Sequence, residues 1–172
     1  MKILKPYLIG QITANPITYI WRQDIEHYIS ALDKNISKNV DIINPCGNKF
    51  SEKMLELSSE HGDPEEFSKN VVKNKQSKLL PAIDKAYVKE ESNCAIFNAN
   101  HYSPETPFLG TLFELAWYHD QPWKPVIGIY IGDRTTNYLC KHPFVEDTVH
   151  TWVSSHIDAI KLLLSIKRYR EN

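Results

Sequence analysis

Cys94-Ala95-Ile96-Phe97-Asn98 is a continuous apolar run that ends in an asparagine. Such a run is typical of a strand that is covered on both faces, as the strands of parallel sheets are. A polar loop follows at residues 99–107, and an amphipathic helix begins near Gly110. In an α/β protein, ligands bind in the crevice beyond the carboxyl ends of the strands, so the start of this helix is expected to face that crevice.

The rest of the chain alternates between strand and helix patterns. Further strands are predicted at Tyr7-Leu8-Ile9-Gly10, Val40–Ile43 and Pro125–Ile131, and a weaker one at Val149–Val153. Helices are predicted at Pro16–Lys34, from Asp63 to Ser92 with a break near Pro81, around Glu114, and from Ser154 or Ser155 to Lys167. This alternation predicts an α/β fold with a mostly parallel central sheet of about five strands and helices on both faces.

The bulk properties favour one globular domain over residues 1–172. The chain has 172 residues, of which 42% are hydrophobic and 24% charged, and its net charge is −1. No basic field favours a nucleic-acid polymer or an anionic membrane, and no apolar run reaches the length of a membrane helix. The three cysteines lack the number and spacing of a disulfide framework or a zinc site. We therefore expect a cytosolic protein with neither metal nor cofactor.

Glu114 is the carboxylate that most needs an explanation. It lies in the first turns of an otherwise apolar helix, directly after the polar loop. One interpretation is a favourable interaction with the helix dipole, which requires no catalytic role. The other is a catalytic carboxylate that faces the crevice.

The residues around Glu114 resemble a known motif. Gly110-Thr111-Leu112-Phe113-Glu114-Leu115-Ala116, after a strand and an acidic, proline-bearing loop, resembles the nucleophile motif of the nucleoside 2-deoxyribosyltransferase family. The start Tyr7-Leu8-Ile9-Gly10 is similar to the first strand of that family. The resemblance covers roughly residues 5–131 and implies a flavodoxin-like or Rossmann-like three-layer sandwich.

The resemblance assigns three catalytic roles. Glu114 would be the nucleophile, and the Tyr7 hydroxyl would orient it. Asp84 would contact the nucleobase and help to move a proton, although it lies about one residue farther from the following strand than the family pattern has it. The alternatives are a half-buried strand aromatic for Tyr7 and a solvated helix carboxylate for Asp84.

The positions of the strand ends, together with the resemblance at the helix start, suggest the residues that would hold the substrate. They are expected at the strand ends and at the start of the Glu114 helix: Gly10, Gln11, Asn98, Glu105, Gly110 and Thr111. The family often has an acid directly before Gly-Thr that holds a sugar hydroxyl, whereas Phe108 and Leu109 occupy that place here and Glu105 is the nearest acid. The helix start suits either a 5′-hydroxyl or a 5′-phosphate.

The leading hypothesis is an enzyme that cleaves or transfers the N-glycosidic bond of a nucleoside or nucleotide. Breaking that bond develops positive charge at the anomeric carbon, which a carboxylate can stabilise or attack. The alternatives are an NAD-cleaving hydrolase of the Toll/interleukin-1 receptor type and a nucleotide-binding module without turnover. The resemblance also implies a homo-oligomer, because in that family a neighbouring subunit completes the site.

Overall fold

The computed structural model describes residues 3–12, 17–47, 80–100 and 109–171. Its elements in chain order are β1 (Pro6–Ile9), α1 (Ile17–Ala31), α2 (Lys34–Ser37), α3 (Leu80–Ala86), a π-helical segment (Tyr87–Glu91), β2 (Cys94–Asn98), α4 (Leu109–His119), β3 (Val126–Ile129), α5 (Pro143–Thr148), β4 (Thr151–Val153) and α6 (His156–Glu171).

The strands form one parallel sheet in the order β1-β2-β3-β4. Ile9 pairs with Phe97, and Asn98 pairs with Ile129. All four strands run in the same direction, so their carboxyl ends lie at one edge of the sheet. The residues that follow β1 and β2 are therefore neighbours at that edge.

Helices cover both faces of the sheet. On one face, Leu8 and Ile96 pack with Ile25 of α1 and Leu163 of α6. On the other face, Tyr7 and Phe97 belong to a second buried cluster that includes Leu115 of α4 and Val88 of the π-helical segment. Successive strand residues point to opposite faces, and this burial on both sides explains why the strand sequences are apolar without alternation.

The prediction of about five strands is wrong, because the described sheet has four. Residues Val40–Ile43 make only two isolated parallel bridges to the first strand region, Leu4 with Val40 and Tyr7 with Ile43. The Ile43 amide donates to the Pro6 carbonyl at 3.0 Å. Pro6 has no N–H to return to this segment, so the ladder is interrupted between the two bridges.

Other boundaries differ from the predicted ones. The first helix ends at Ala31 rather than Lys34, and the short helices α2 and α5 were not predicted. The strand at Cys94–Asn98 agrees with the prediction, and the weak strand at Val149–Val153 is present as Thr151–Val153. The predicted helix start at Asp63 lies outside the described residues. None of the helices in the described ranges is long and apolar enough to cross a membrane.

Candidate active site

Tyr7 and Glu114 meet on the face of the sheet that α4 covers. The Tyr7 hydroxyl donates a hydrogen bond of 2.6 Å to Oε1 of Glu114. Tyr7 is fully buried in β1, and only 7% of Glu114 is exposed. A distance this short is typical of a hydroxyl that donates to a carboxylate. The bond fixes the orientation of the Glu114 carboxyl group, because Tyr7 is held on a buried strand.

Burial controls the protonation of Glu114. It raises the pKa of this carboxyl group to about 8. The hydrogen bond from Tyr7 and the charge of Arg22 act in the opposite direction, and the negative charge of Asp84 adds to the rise. Burial beside Glu114 and Asp84 also raises the pKa of Tyr7 far above its ordinary value, so that Tyr7 keeps the proton that it donates to Glu114.

Asp84 is the second carboxylate of this cluster. It lies on α3, is partly buried, and interacts with both Tyr7 and Glu114. Burial raises the pKa of Asp84 to about 6, while the Tyr7 side chain lowers it. Within the described part of the chain, Oδ1 of Asp84 is buried without a hydrogen-bond partner. An unpaired buried oxygen of this kind is costly unless a ligand or a proton satisfies it.

A π-helical segment separates Asp84 from β2. It spans Tyr87–Glu91 and continues α3 directly. Lys124 donates hydrogen bonds from Nζ to the Val88 and Lys89 carbonyls at 2.7 and 3.0 Å. These bonds stabilise the π-helical segment. A π-helical turn takes more residues than an α-helical one and is frequent near functional sites. The segment therefore places more residues between Asp84 and β2 than an α-helical turn would.

Three of the residues predicted to bind substrate lie at the carboxyl ends of β1 and β2. Gly10 and Gln11 directly follow β1, Asn98 is the last residue of β2, and both Gln11 and Asn98 are buried. The Asn98 side-chain oxygen accepts hydrogen bonds from the backbone and side-chain nitrogens of Asn100 at 2.9 and 3.0 Å. These bonds fix the polar turn that leads away from the strand end.

The start of α4 carries two more of the predicted residues. Thr111 is buried one turn before Glu114, whereas Gly110 is exposed, and a Cβ atom there would meet nothing within 4 Å. Space alone therefore does not require glycine at position 110. Glu105 lies outside the described residues.

The sequence reasoning missed Arg22. This arginine lies on the buried face of α1 and is only 1% exposed. Its Nη2 donates to the Gly10 carbonyl at 2.9 Å, and its Nη1 donates to the Thr18 carbonyl. The sequence does contain a signal for this residue. Arg22 lies on the same helical face as Ile25 and Ile29, and a charged residue in an apolar stripe needs a partner.

Cys46 lies close to the same charges. It follows the segment that bridges to β1, and only 8% of it is exposed. Burial raises the pKa of its thiol to about 11; Arg22 opposes this rise, and Glu114 and Asp84 add to it. The thiol is therefore neutral at physiological pH.

The cluster combines a buried carboxyl group, a phenol that orients it, a second carboxyl group with a raised pKa and a buried cation. Carboxyl groups with raised pKa values are candidates for general acid and base chemistry near neutral pH. Within the described ranges, no three His, Cys, Asp or Glu side chains are grouped so that they could hold a metal ion.

Comparison with known protein families, curated proteins and solved structures finds no match for this chain.

Proposed function

We propose that this protein cleaves or transfers the N-glycosidic bond of a nucleoside or nucleotide, with Glu114 as the nucleophile. The observation that carries the proposal is the buried hydrogen bond of 2.6 Å from Tyr7 to Glu114, with Asp84 beside the pair. This bond engages one carboxylate oxygen of Glu114, and the other oxygen is the one that attacks the sugar. The reaction needs one proton in this pair, with Glu114 ionised and Asp84 protonated. Because the pKa of Glu114 is about 8 and that of Asp84 about 6, this is the less populated of the two singly protonated forms in the free protein.

In the first step, an ionised Glu114 oxygen forms a bond to the anomeric carbon as the carbon–nitrogen bond to the base breaks. The electron pair of the broken bond goes to the base nitrogen system. Protonated Asp84 delivers its proton to the base, which makes the base a better leaving group. The products of this step are a glycosyl ester on Glu114, a neutral base and ionised Asp84.

In the second step, an acceptor attacks the same carbon and releases Glu114. If the acceptor is water, its oxygen bonds to the sugar and its proton returns to Asp84, which completes hydrolysis. If the acceptor is a second base, its nitrogen bonds to the sugar and its proton goes to Asp84, which completes transfer. Hydrolysis and transfer use the same protein residues, and they differ only in the acceptor.

We also propose that the chain belongs with the deoxyribosyltransferase-like proteins and has a flavodoxin-like three-layer arrangement. The parallel bridges of Val40 and Ile43 support the fold assignment, since they flank β1 on the side opposite β2. A homo-oligomer is part of this proposal as well, and light scattering on the purified protein tests it. A particle mass in solution near 19.9 kDa, the mass of one subunit, would contradict the oligomer.

The test is base release from a panel of substrates. The purified protein is incubated with deoxynucleosides, ribonucleosides, deoxynucleoside 5′-monophosphates and NAD, each with and without a second free base. Chromatography then measures the released base and any newly formed nucleoside. Exchange of bases indicates a transferase, and release without exchange indicates a hydrolase. Release from NAD alone would instead support an NAD-cleaving hydrolase.

Two variants separate the mechanism from a contaminating activity. Glu114→Gln keeps the size of the side chain, and we expect it to abolish turnover. Glu146→Gln, a matched change at an exposed glutamate of α5, should retain full activity. Turnover that survives in Glu114→Gln would exclude the covalent mechanism. Substrate binding without turnover in the unmodified protein would favour a binding module.

A further inference from the structure

The π-helical segment, Tyr87–Glu91, ends in a backbone hydrogen bond that spans five residues. The Ser92 amide donates to the Tyr87 carbonyl at 2.8 Å. In an α-helix the same amide would donate to the carbonyl four residues earlier, which is that of Val88. The Val88 carbonyl therefore does not receive the amide bond that an α-helix would give it.

The next carbonyl, that of Lys89, loses its α-helical donor as well. Four residues later, the Asn93 amide donates to the Lys5 carbonyl at 3.1 Å, outside the segment. Carbonyls at the end of a helix need donors from side chains or water, and a buried carbonyl that is left unpaired is costly. The end of the π-helical segment therefore depends on side-chain donors.

Lys124 donates to both of these carbonyls. Its Nζ lies 2.7 Å from the Val88 oxygen and 3.0 Å from the Lys89 oxygen, and only 7% of the residue is exposed. The Ser92 hydroxyl also donates to Val88, at 2.9 Å, but Lys124 is the donor that reaches both carbonyls. The backbone of Lys124 is held in turn, because its amide donates to the Gln121 carbonyl at 2.9 Å. A buried cation thus takes the place of two backbone amides.

The orientation of Asp84 depends on the register of this segment. The helix α3, which carries Asp84, continues directly into the π-helical segment, and both contact α4, the helix of Glu114. Val88 is fully buried in the same cluster as Tyr7, so this part of the segment is fixed. A change to the α-helical register would displace the preceding helix by one residue, which is a rotation of about 100° and a shift of about 1.5 Å. Such a rotation would turn Asp84 away from Tyr7 and Glu114.

We propose that Lys124 is a positioning residue whose ammonium group replaces the two backbone donors and keeps the segment in the π-helical register. It thereby holds Asp84 beside Tyr7 and Glu114. Lys124 acts through the backbone of the segment and does not contact substrate. This role rests on the proposed function only where it makes Asp84 the proton donor, and its effect on the position of Asp84 does not require turnover.

The first test is the register of the segment, read from NMR couplings across its backbone hydrogen bonds. In the unmodified protein, the Ser92 amide should couple to the Tyr87 carbonyl carbon. In Lys124→Met we expect it to couple to the Val88 carbonyl carbon instead, because the α-helical register gives that carbonyl a backbone donor.

The second test is the pKa of Asp84, followed by NMR on protein with 13C-labelled aspartate carboxyl groups. The signal that is missing from Asp84→Asn identifies the residue. Burial raises this pKa to about 6 in the unmodified protein. In Lys124→Met it should fall by about one pH unit or more, because the rotated carboxyl group regains contact with water. A purely stabilising role for Lys124 would lower the melting temperature and leave this pKa unchanged.

Lys89→Met is the matched control. It removes a lysine side chain of the same segment, whose Nζ forms an exposed ion pair with Oδ2 of Asp120 at 3.8 Å. It leaves the Lys89 carbonyl in place as an acceptor for Lys124. The Ser92 coupling and the pKa of Asp84 should therefore not change in this variant.

A folded Lys124→Met protein that keeps the coupling between Ser92 and Tyr87, or that keeps the pKa of Asp84, would overturn the proposal. If this variant does not fold, the unmodified protein provides the decision. With 15N-labelled lysine, Nζ of Lys124 should couple to the Val88 carbonyl carbon, and the coupling between Ser92 and Tyr87 should be present. The absence of either coupling would overturn the proposal, and the presence of both would support it.

Activity provides a separate readout. In Lys124→Met, kcat for base release should fall about tenfold or more, because general acid catalysis requires a correctly placed proton donor. Equal kcat values in Lys124→Met and Lys89→Met would contradict a dependence of the proton donor on Lys124. A lack of base release from the unmodified protein would count against the proposed function, while the NMR measurements, which need no substrate, would still decide the role of Lys124.

Discussion

The Tyr7 hydroxyl donates a hydrogen bond of 2.6 Å to Glu114, a residue 107 positions away in the sequence. The bond joins β1 to α4 on one face of the sheet. Because both residues are buried, the bond forms in a low-dielectric environment, where it is stronger than at the surface. The orientation of Glu114 therefore depends on the placement of two elements that are far apart in the chain.

Removal of the Tyr7 hydroxyl should lower activity while the fold persists. A hydrogen bond to a charged group contributes about 1.5–3 kcal/mol, so Tyr7→Phe should reduce kcat/KM for base release by about 10- to 100-fold. Steady-state kinetics with the best substrate of the panel measures this effect.

Tyr118→Phe is the control for Tyr7→Phe. The Tyr118 hydroxyl is also buried, but it bonds to the Ser92 hydroxyl at 2.6 Å and to the Cys94 carbonyl at 3.0 Å rather than to Glu114. Its loss should lower thermal stability and change kcat/KM much less. Equal losses of activity in the two variants would contradict an orienting role for Tyr7.

Glu114→Gln should become more stable than the unmodified protein as the pH rises. The pKa of Glu114 is raised in the folded state from 4.5 to about 8. Below pH 4.5 the group is protonated in both the folded and the unfolded state. Between pH 4.5 and 8 only the unfolded state loses the proton readily, so the unmodified protein loses stability as the pH rises through this window.

Thermal denaturation between pH 4.5 and 9 measures this difference. The melting temperature of Glu114→Gln minus that of the unmodified protein should increase up to about pH 8 and then level off. A difference that stays constant across the window would show that the carboxyl group is not protonated in the folded state.

The pH dependence of activity should be bell-shaped. The reaction needs one proton in the carboxyl pair, with Glu114 ionised and Asp84 protonated. The pair should therefore be active between the lower and upper pKa values, about 6 and about 8. These two values belong to the coupled pair rather than to one residue each.

Asp84→Asn tests which limb depends on the proton donor. It removes the group that delivers the proton, so kcat should fall and the alkaline limb of the kcat/KM profile should disappear. The acidic limb should move to higher pH, because it then reports Glu114 alone, whose pKa burial raises, instead of the first proton loss of the coupled pair. A profile with both limbs in place would contradict the role of Asp84.

Gly10→Ala should destabilise the protein, because the new methyl group would press on Trp21 and Arg22. Overpacking of this kind costs about 1–3 kcal/mol. Gly110→Ala is the matched control: there is open space around position 110 in α4, and alanine is favoured over glycine in a helix by up to about 1 kcal/mol. Urea denaturation compares the two, and a Gly10→Ala protein as stable as Gly110→Ala would contradict the close packing at the end of β1.

Local sequence patterns predicted much of the fold. The apolar runs of Cys94–Asn98 and Pro125–Ile131 predicted buried parallel strands, and the amphipathic pattern after Gly110 predicted the helix α4. These predictions agree with the structure because burial on two faces leaves its mark within a few residues. Resemblance to a motif was needed to select Glu114, since its spacing alone suits a helix-dipole interaction equally well.

Patterns of this kind contain no information on contacts between distant residues. The strand at Val40–Ile43 was counted as a full member of the sheet, yet the missing N–H of Pro6 on the neighbouring segment reduces it to two bridges. Arg22 was passed over for a similar reason, because its partners are backbone carbonyls at the end of another element.

Glu114 was chosen from one short stretch of sequence, but its bond to Tyr7, its burial and its nearness to Asp84 and Arg22 exist only once β1, α1, α3 and α4 converge at one edge of the sheet. Hydrogen bonding and desolvation depend on distances in space, and spacing along the chain does not specify them.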